Sequence, residues 1–259
     1  MMEPIAQRIL ITNDDGINAP GLAILESIAR KLAEEVWVVA PEHDRSGAGQ
    51  SISIHSPLRV YETGDRRYSV SGTPADCVLY SLAQWFRGTP PDLVLSGVNC
   101  GANISDSVQY SGTVGAVLSA LHMNIPAIAL SQAFLSREGV QWSPVKRFGE
   151  TLVRKLWSPG EVRGWNVNFP ACDAGNIHSA RWCRQSTGSI PRARLQSGRD
   201  ARSLPYWWLG FERSSRHIVA PDADVTVLRK KAIAIAPLRH QDPLPGGTNE
   251  YDLAASAAD

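Results

Sequence analysis

The chain has 259 residues, 43% hydrophobic and 20% charged, with a formal net charge of +1. That length and balance suit one large α/β domain, or a domain with an arm, with ample chain for a core. They argue against a nucleic-acid binder held by a global positive field, and no run approaches the roughly 18 apolar residues of a membrane span.

Residues 1–8 carry Glu3 and no apolar stretch, so no secretory signal is expected there. Cys77, Cys100, Cys172 and Cys183 form no C-x-x-C pair, and their scatter suits reduced thiols in a cytoplasmic protein. Residues 8–12 predict a buried strand, because Ile9, Leu10 and Ile11 run together. A helix is expected over 20–33, with Leu22, Leu25, Ile28 and Leu32 on one face and Pro20 in the first turn. Residues 36–40 predict a second apolar strand, closed by Pro41 and followed by a polar loop. Residues 51–55 alternate like a half-exposed strand.

Thr73 as N-cap, Pro74 at the first helical position and Asp76 in the first turn predict a helix to about residue 86. A strand is expected at 92–96, then a loop rich in glycine and asparagine over 97–112. A helix over 113–122, a strand at 127–130, a helix over 144–157 and a strand at 165–169 continue the alternation. Such alternation implies a parallel sheet with right-handed crossovers. Beyond Pro170 the texture changes: residues 180–216 hold eight arginines against Asp200 and Glu212, with Trp182, Tyr206, Trp207 and Trp208 interleaved. A β-rich arm is expected there, then strands at 225–228 and 232–236. The division expected is a core over 1–175, an arm with oligomerisation elements and strands returning to the core over 176–243, and a tail over 244–259.

The strongest local signal is Asn13-Asp14-Asp15-Gly16, directly after the first strand. Gly16 lets the chain turn, so that two carboxylates which would otherwise point to opposite faces can converge. Two like charges about 4 Å apart repel by roughly 4 kcal/mol at an effective dielectric near 20. A divalent cation removes that cost, and hard cations prefer oxygen donors. The structural alternative is an Asx-type turn closing the strand. Loops bearing Ser46 and Asn99 follow two other strands, and in parallel sheets such loops share the edge where ligands bind. Asp14, Asp15, Ser46 and Asn99 could therefore meet in one pocket. Ser111-Gly112-Thr113 precedes a helix, and a helix N-terminus offers N–H groups and a positive dipole end to phosphate; a plain helix cap is the alternative. The six histidines show no metal-ligand spacing.

Five motifs in order resemble the SurE family of survival-protein nucleotidases. They are Ile9 to Gly16; Val39-Ala40-Pro41 with Arg45-Ser46-Gly47; Ser71 to Cys77; Ser96-Gly97-Val98-Asn99; and Tyr110 to Val114. The resemblance is looser through Asn166 to Pro170, Tyr206 to Gly210 and Ile235 to Leu238. It implies a Rossmann-like core with helices on both faces, and one divalent metal cation such as Mg or Mn. The implied reaction is phosphate release from nucleoside 5′- and 3′-monophosphates, with short polyphosphate as a secondary substrate. It also implies that Asp14, Asp15, Ser46 and Asn99 are the metal ligands and that the chain assembles as a homodimer or homotetramer. Ser186-Thr187 departs from the glycine expected in the family's arm. The mechanism that follows is metal-assisted hydrolysis, with Asp14 or Asp15 as the proton acceptor and Asn103, Ser111, Gly112 and Thr113 holding the phosphate. The competing readings are a receiver-like module, which lacks its phosphoacceptor aspartate at Ser96-Gly97, and a non-catalytic nucleotide-binding signalling protein.

Overall fold

The computed structural model describes residues 3–212 and 220–238. The seven residues from Ala6–Thr12 form β1. Helix α1 (Pro20–Ala29) follows, then β2 (Ala33–Pro41), the hairpin of β3 (Val60–Gly64) and β4 (Arg67–Val70), and α2 (Pro74–Gln84). Next come β5 (Leu93–Cys100), α3 (Gly112–His122), β6 (Ala127–Gln132), α4 (Ser143–Leu156) and β7 (Gly164–Phe169). The remainder comprises β8 (Ala180–Trp182), β9 (Arg192–Arg199), β10 (Pro205–Glu212), α5 (Asp224–Arg229) and β11 (Ile233–Leu238).

One nine-stranded sheet has the order β3-β4-β2-β1-β5-β6-β7-β11-β8. Neighbours from β4 to β7 pair in parallel, while β3 and β11 join antiparallel to β4 and β7. Alternate side chains of each central strand enter cores on opposite faces. Ile9 and Ile11 meet Leu22, Leu25 and Ile28 of α1 and Val145 and Val153 of α4. Leu10 meets Cys77 and Val78 of α2 and Val114 and Val117 of α3. Burial on both faces is why β1 is a continuous apolar run. The chain runs from β1 to β2 on one side and later enters β5 on the other, so the order reverses between β1 and β5. In open α/β sheets, ligands bind in the crevice at the carboxyl ends beside such a reversal.

The structure departs from the expected elements at four places. Helix α1 ends at Ala29, and Ala33 already belongs to β2. Residues 51–55 form no strand: Asp76 takes the backbone N–H and the hydroxyl of Ser53, and Ile52 and Ile54 lie exposed. The β3–β4 hairpin lacks a strong sequence signature because β3 is largely exposed and offers no apolar alternation. Residues 225–228 belong to helix α5, not to a strand. Their β-branched run suggested a strand, but Asp224 sits in the first helical turn and Val227 packs on Cys183 and Ala234. The arm is β-structured as expected: β9 and β10 pair antiparallel from Arg192↔Glu212 to Arg199↔Pro205. The 244–259 tail lies outside the described residues.

Close packing of α1 on β5 sets the floor of the crevice. A Cβ added at Gly21 would stand 1.9 Å from the carbonyl oxygen of Val98, which as backbone cannot move aside cheaply. Gly21→Ala should therefore cost roughly 3 kcal/mol by overpacking. That is a fall in Tm of about 6–12 °C for a chain of this size, read by calorimetry. An unchanged Tm would mean that α1 and β5 can separate freely.

Candidate active site

Strand β1 delivers Asn13, Asp14 and Asp15 to the reversal point, and Gly16, at φ 101°, turns the chain there. The Asn13 side-chain amide donates to the Gly16 carbonyl at 2.9 Å and closes the turn. The Asp14 carbonyl accepts the N–H of Arg45 at 2.7 Å, which brings the loop bearing Ser46 across the end of β1. On the other side, β5 carries one extra residue against β6 between Ser96 and Asn99. Such a bulge re-aims the side chains beyond it. Gly97, at φ 133°, makes this possible, since a Cβ there would stand 2.2 Å from the Leu130 carbonyl oxygen. The Asn99 amide donates from Nδ2 to the Gly101 carbonyl at 2.8 Å, which fixes the orientation of its side chain.

A cleft of about 450 Å³ opens at this point. Its lining combines the polar Asp14, Ser46, Asn99, Asn103 and Ser111 with the side chains of Ile104, Tyr110, Phe134, Ile190 and Phe211. Three of the four expected metal ligands thus share one wall. The fourth, Asp15, is half-buried and accepts the backbone N–H of Cys100 at 2.9 Å through Oδ2. Among the described residues that line the cleft, Asp14 is the only one with a charged side chain. No group of three or more His, Cys, Asp or Glu occurs among the described residues, so a cation there would depend on hydroxyl and amide oxygens as well as carboxylates.

Helix α3 presents its N-terminus to Asp14. Thr113 Oγ1 donates to Asp14 Oδ1 at 2.6 Å, and a Cβ on Gly112 would stand 2.8 Å from the Asp14 Cβ. The Ser111 side chain caps the helix by accepting the N–H of Val114 at 3.1 Å. Of the four residues expected to hold phosphate, Asn103 and Ser111 line the cleft, whereas Gly112 and Thr113 are packed behind Asp14. Burial raises the Asp14 carboxyl to about 6; the Thr113 hydroxyl acts in the opposite sense, and the neighbouring Asp15 charge adds to the rise.

A buried polar network, beyond the residues picked out in the sequence, supports this wall. The Asn103 amide donates to Thr113 Oγ1 at 3.3 Å and to Ser131 Oγ at 2.9 Å. The Asn103 backbone is gripped in turn: its N–H donates to Asn168 Oδ1 at 2.7 Å, and its carbonyl accepts the amides of Asn166 at 2.8 Å and Asn168 at 3.1 Å. The available signal was two asparagines spaced two apart in an otherwise apolar strand, which places both on one face. Buried polar groups persist only when hydrogen-bonded, and here those bonds fix Asn103 and Thr113. The aromatic part of the cleft lining was also missed, because Tyr110 and Phe211 are distant in sequence and meet only in the fold, their rings 5.0 Å apart.

The fold and sequence have clear relatives. A family profile described as Survival protein SurE matches residues 9–191, and the chain belongs to that family. A protein named 5′-nucleotidase SurE 1 from Burkholderia lata is 41% identical over 92% of this chain and 92% of its own. A 5′-nucleotidase SurE from Bradyrhizobium diazoefficiens is 43% identical over 90% of this chain and 93% of its own. Another from Parvibaculum lavamentivorans is 44% identical over 91% and 86%. The crystal structure of the SurE protein from Aquifex aeolicus matches with a TM-score of 0.76 at 29% identity, covering 92% of this chain and 95% of that one. No helix among the described residues is long and apolar enough to cross a membrane.

The buried carboxyl gives a signed pH dependence. A folded-state value of about 6 against the ordinary 3.8 means that the folded state holds the proton more tightly. In the chelated protein this group favours folding below 3.8, and that advantage is lost as pH rises through about 6. The full difference is worth about 3 kcal/mol. Asp14→Asn keeps the Thr113 bond but removes the charge. With chelator present, it should raise Tm at pH 7.5 by roughly 5 °C or more, with the gap closing by pH 5. A substitution that lowers Tm equally at both pH values would show that the charge carries no such cost.

Proposed function

We propose that this SurE-family chain is a metal-dependent phosphomonoesterase that releases phosphate from nucleoside 5′-monophosphates, and from 3′-monophosphates as well. The family relationship supports the reaction class, since the relatives at 41–44% identity are named 5′-nucleotidases. It does not favour a receiver-like or non-catalytic signalling role. The observation that carries the metal requirement is the cleft's charge: its only charged side chain among the described lining residues is an aspartate. A phosphate dianion cannot enter such a site against a carboxylate without a cation between them.

One divalent cation held by Asp14, Asp15, Ser46 and Asn99 fits this all-oxygen donor set, of the kind that Mg or Mn takes. When bound, it supplies Lewis-acid polarisation of the phosphoryl group and lowers the pKa of water. The chain's own residues do the rest. Thr113 orients the Asp14 carboxylate through its hydroxyl. Asp14, which a bound cation would keep ionised, accepts the proton of the attacking water, with Asp15 as the second catalytic carboxylate. Asn103 and Ser111 face the transferred phosphoryl oxygens from the cleft wall, and Gly112 and Thr113 support the phosphate end from behind. The apolar lining suits ribose and base, where Tyr110 and Phe211 offer ring faces.

The arm supports assembly as a homodimer or homotetramer. Leu195, Trp207, Trp208 and Leu209 are 59–70% exposed on it, an apolar surface of the kind that subunit interfaces cover. Short polyphosphate as a second substrate and a cytoplasmic location complete the proposal.

The deciding experiment measures phosphate release from a nucleotide panel after chelation, with and without added Mg or Mn. Turnover should require the metal. Asp15→Asn, which keeps shape but removes one charge, should weaken metal binding and lower turnover at least about a hundredfold, about 2.7 kcal/mol of lost transition-state stabilisation. Its stability without metal should stay level or rise. A variant with full metal-dependent activity would remove Asp15 from the site.

A further inference from the structure

The arm does not merely project from the domain; part of it forms the active-site wall. Ile190, just before β9, and Phe211, near the end of β10, both line the cleft that Asp14 also lines. Isolated two-stranded hairpins are marginal in water, so something must fix this one where it meets the cleft. The fixing group is Asp106, in the 3₁₀ turn Ser105–Tyr110. Its carboxylate accepts the N–H of Gly188 at 3.0 Å, the N–H of Ile190 at 2.9 Å and the hydroxyl of Ser189 at 3.3 Å. Gly188, at φ 82°, provides the bend that turns these groups toward one acceptor. The same turn carries Ser107 and Tyr110, which line the cleft themselves. The carboxylate is thus a direct link between this turn and the arm, beside the Tyr110–Phe211 ring contact, and its hydrogen bonds run to residues 188–190.

We infer that Asp106 is a positioning residue for the nucleoside half of the substrate: by seating Ile190 against the cleft it sets affinity for the base and sugar, leaving the chemistry at phosphorus alone. This rests on the nucleotidase reading above. Hydrogen bonds from several donors to one carboxylate are charge-assisted and strong, so Asp106→Ala should release the Gly188–Ile190 segment. Ile190 then no longer presents a fixed apolar surface to the nucleoside.

The test compares 5′-AMP with glycerol 2-phosphate, an ester with the same reacting group and no base, on the full chain with metal present. For Asp106→Ala, KM for 5′-AMP should rise about tenfold, the scale of one lost apolar contact in a pocket. Its kcat, and kcat/KM for glycerol 2-phosphate, should stay within about twofold of wild type. Asp106→Asn, which keeps one carbonyl acceptor, should fall between. Ile190→Ala should reproduce the rise, and it decides the matter if Asp106→Ala does not fold. Equal losses on both substrates would assign Asp106 a general structural role and overturn the inference, as would an unchanged KM for 5′-AMP. A wild-type protein that cleaves glycerol 2-phosphate but not 5′-AMP overturns the nucleotidase reading first and is recognisable because no variant is involved.

Discussion

The site depends on one buried carboxylate, the only charged side chain among the described residues that line the cleft. Asp14 follows a strand whose last four residues are buried, faces the N-terminus of α3, and receives the Thr113 hydroxyl at 2.6 Å. Burial raises its carboxyl to about 6, and the Thr113 hydroxyl offsets that rise only in part. A chain gains nothing for its own stability from this arrangement. It does place a carboxylate in the wall of a cleft that Ser46, Asn99, Asn103 and Ser111 also line.

The surrounding architecture keeps that carboxylate in position. The reversal of strand order between β1 and β5 opens a crevice that no helix fills, and the bulge in β5 turns Asn99 into it. The loop after β2 is drawn over the same opening by the Arg45 N–H on the Asp14 carbonyl. Behind, Asn103, Ser131, Asn166 and Asn168 satisfy one another's polar groups in the sheet's interior. A satisfied buried network rigidifies what it touches, and here it touches Thr113 and the loop lining the cleft.

The arm adds a second level. Strands β8 and β11 extend the main sheet, so the chain returns to the domain on both sides of the β9–β10 hairpin. Asp224, at the start of α5, accepts the N–H groups of Ser105 and Ser186 and the Ser186 hydroxyl, and Gln185 donates to the Ser105 carbonyl. The root of the arm is thereby stitched to the loop that forms the cleft. An exposed apolar surface and part of the cleft wall belong to one segment.

The sequence by itself determined the layered α/β core. Continuous apolar runs such as Ile9-Leu10-Ile11 can only be strands buried on both faces, and Thr73-Pro74-Ala75-Asp76 carries its own helix start, borne out as a full capping box. It also marked the two adjacent acids, because Asp-Asp-Gly after a buried strand is locally unusual whatever surrounds it. Tertiary structure decided what local pattern cannot encode. Residues 225–228 became helix rather than strand through packing on Cys183 and Ala234, and residues 51–55 lost their strand because a distant Asp76 took the bonds of Ser53. Gly112 and Thr113 mark a helix start in the sequence, but only the fold brings that start against Asp14. The aromatic wall required Tyr110 and Phe211, a hundred residues apart, to meet. Hydrophobic period and turn chemistry are properties of neighbours in sequence, whereas a cleft is made by side chains that chain reversal alone brings together.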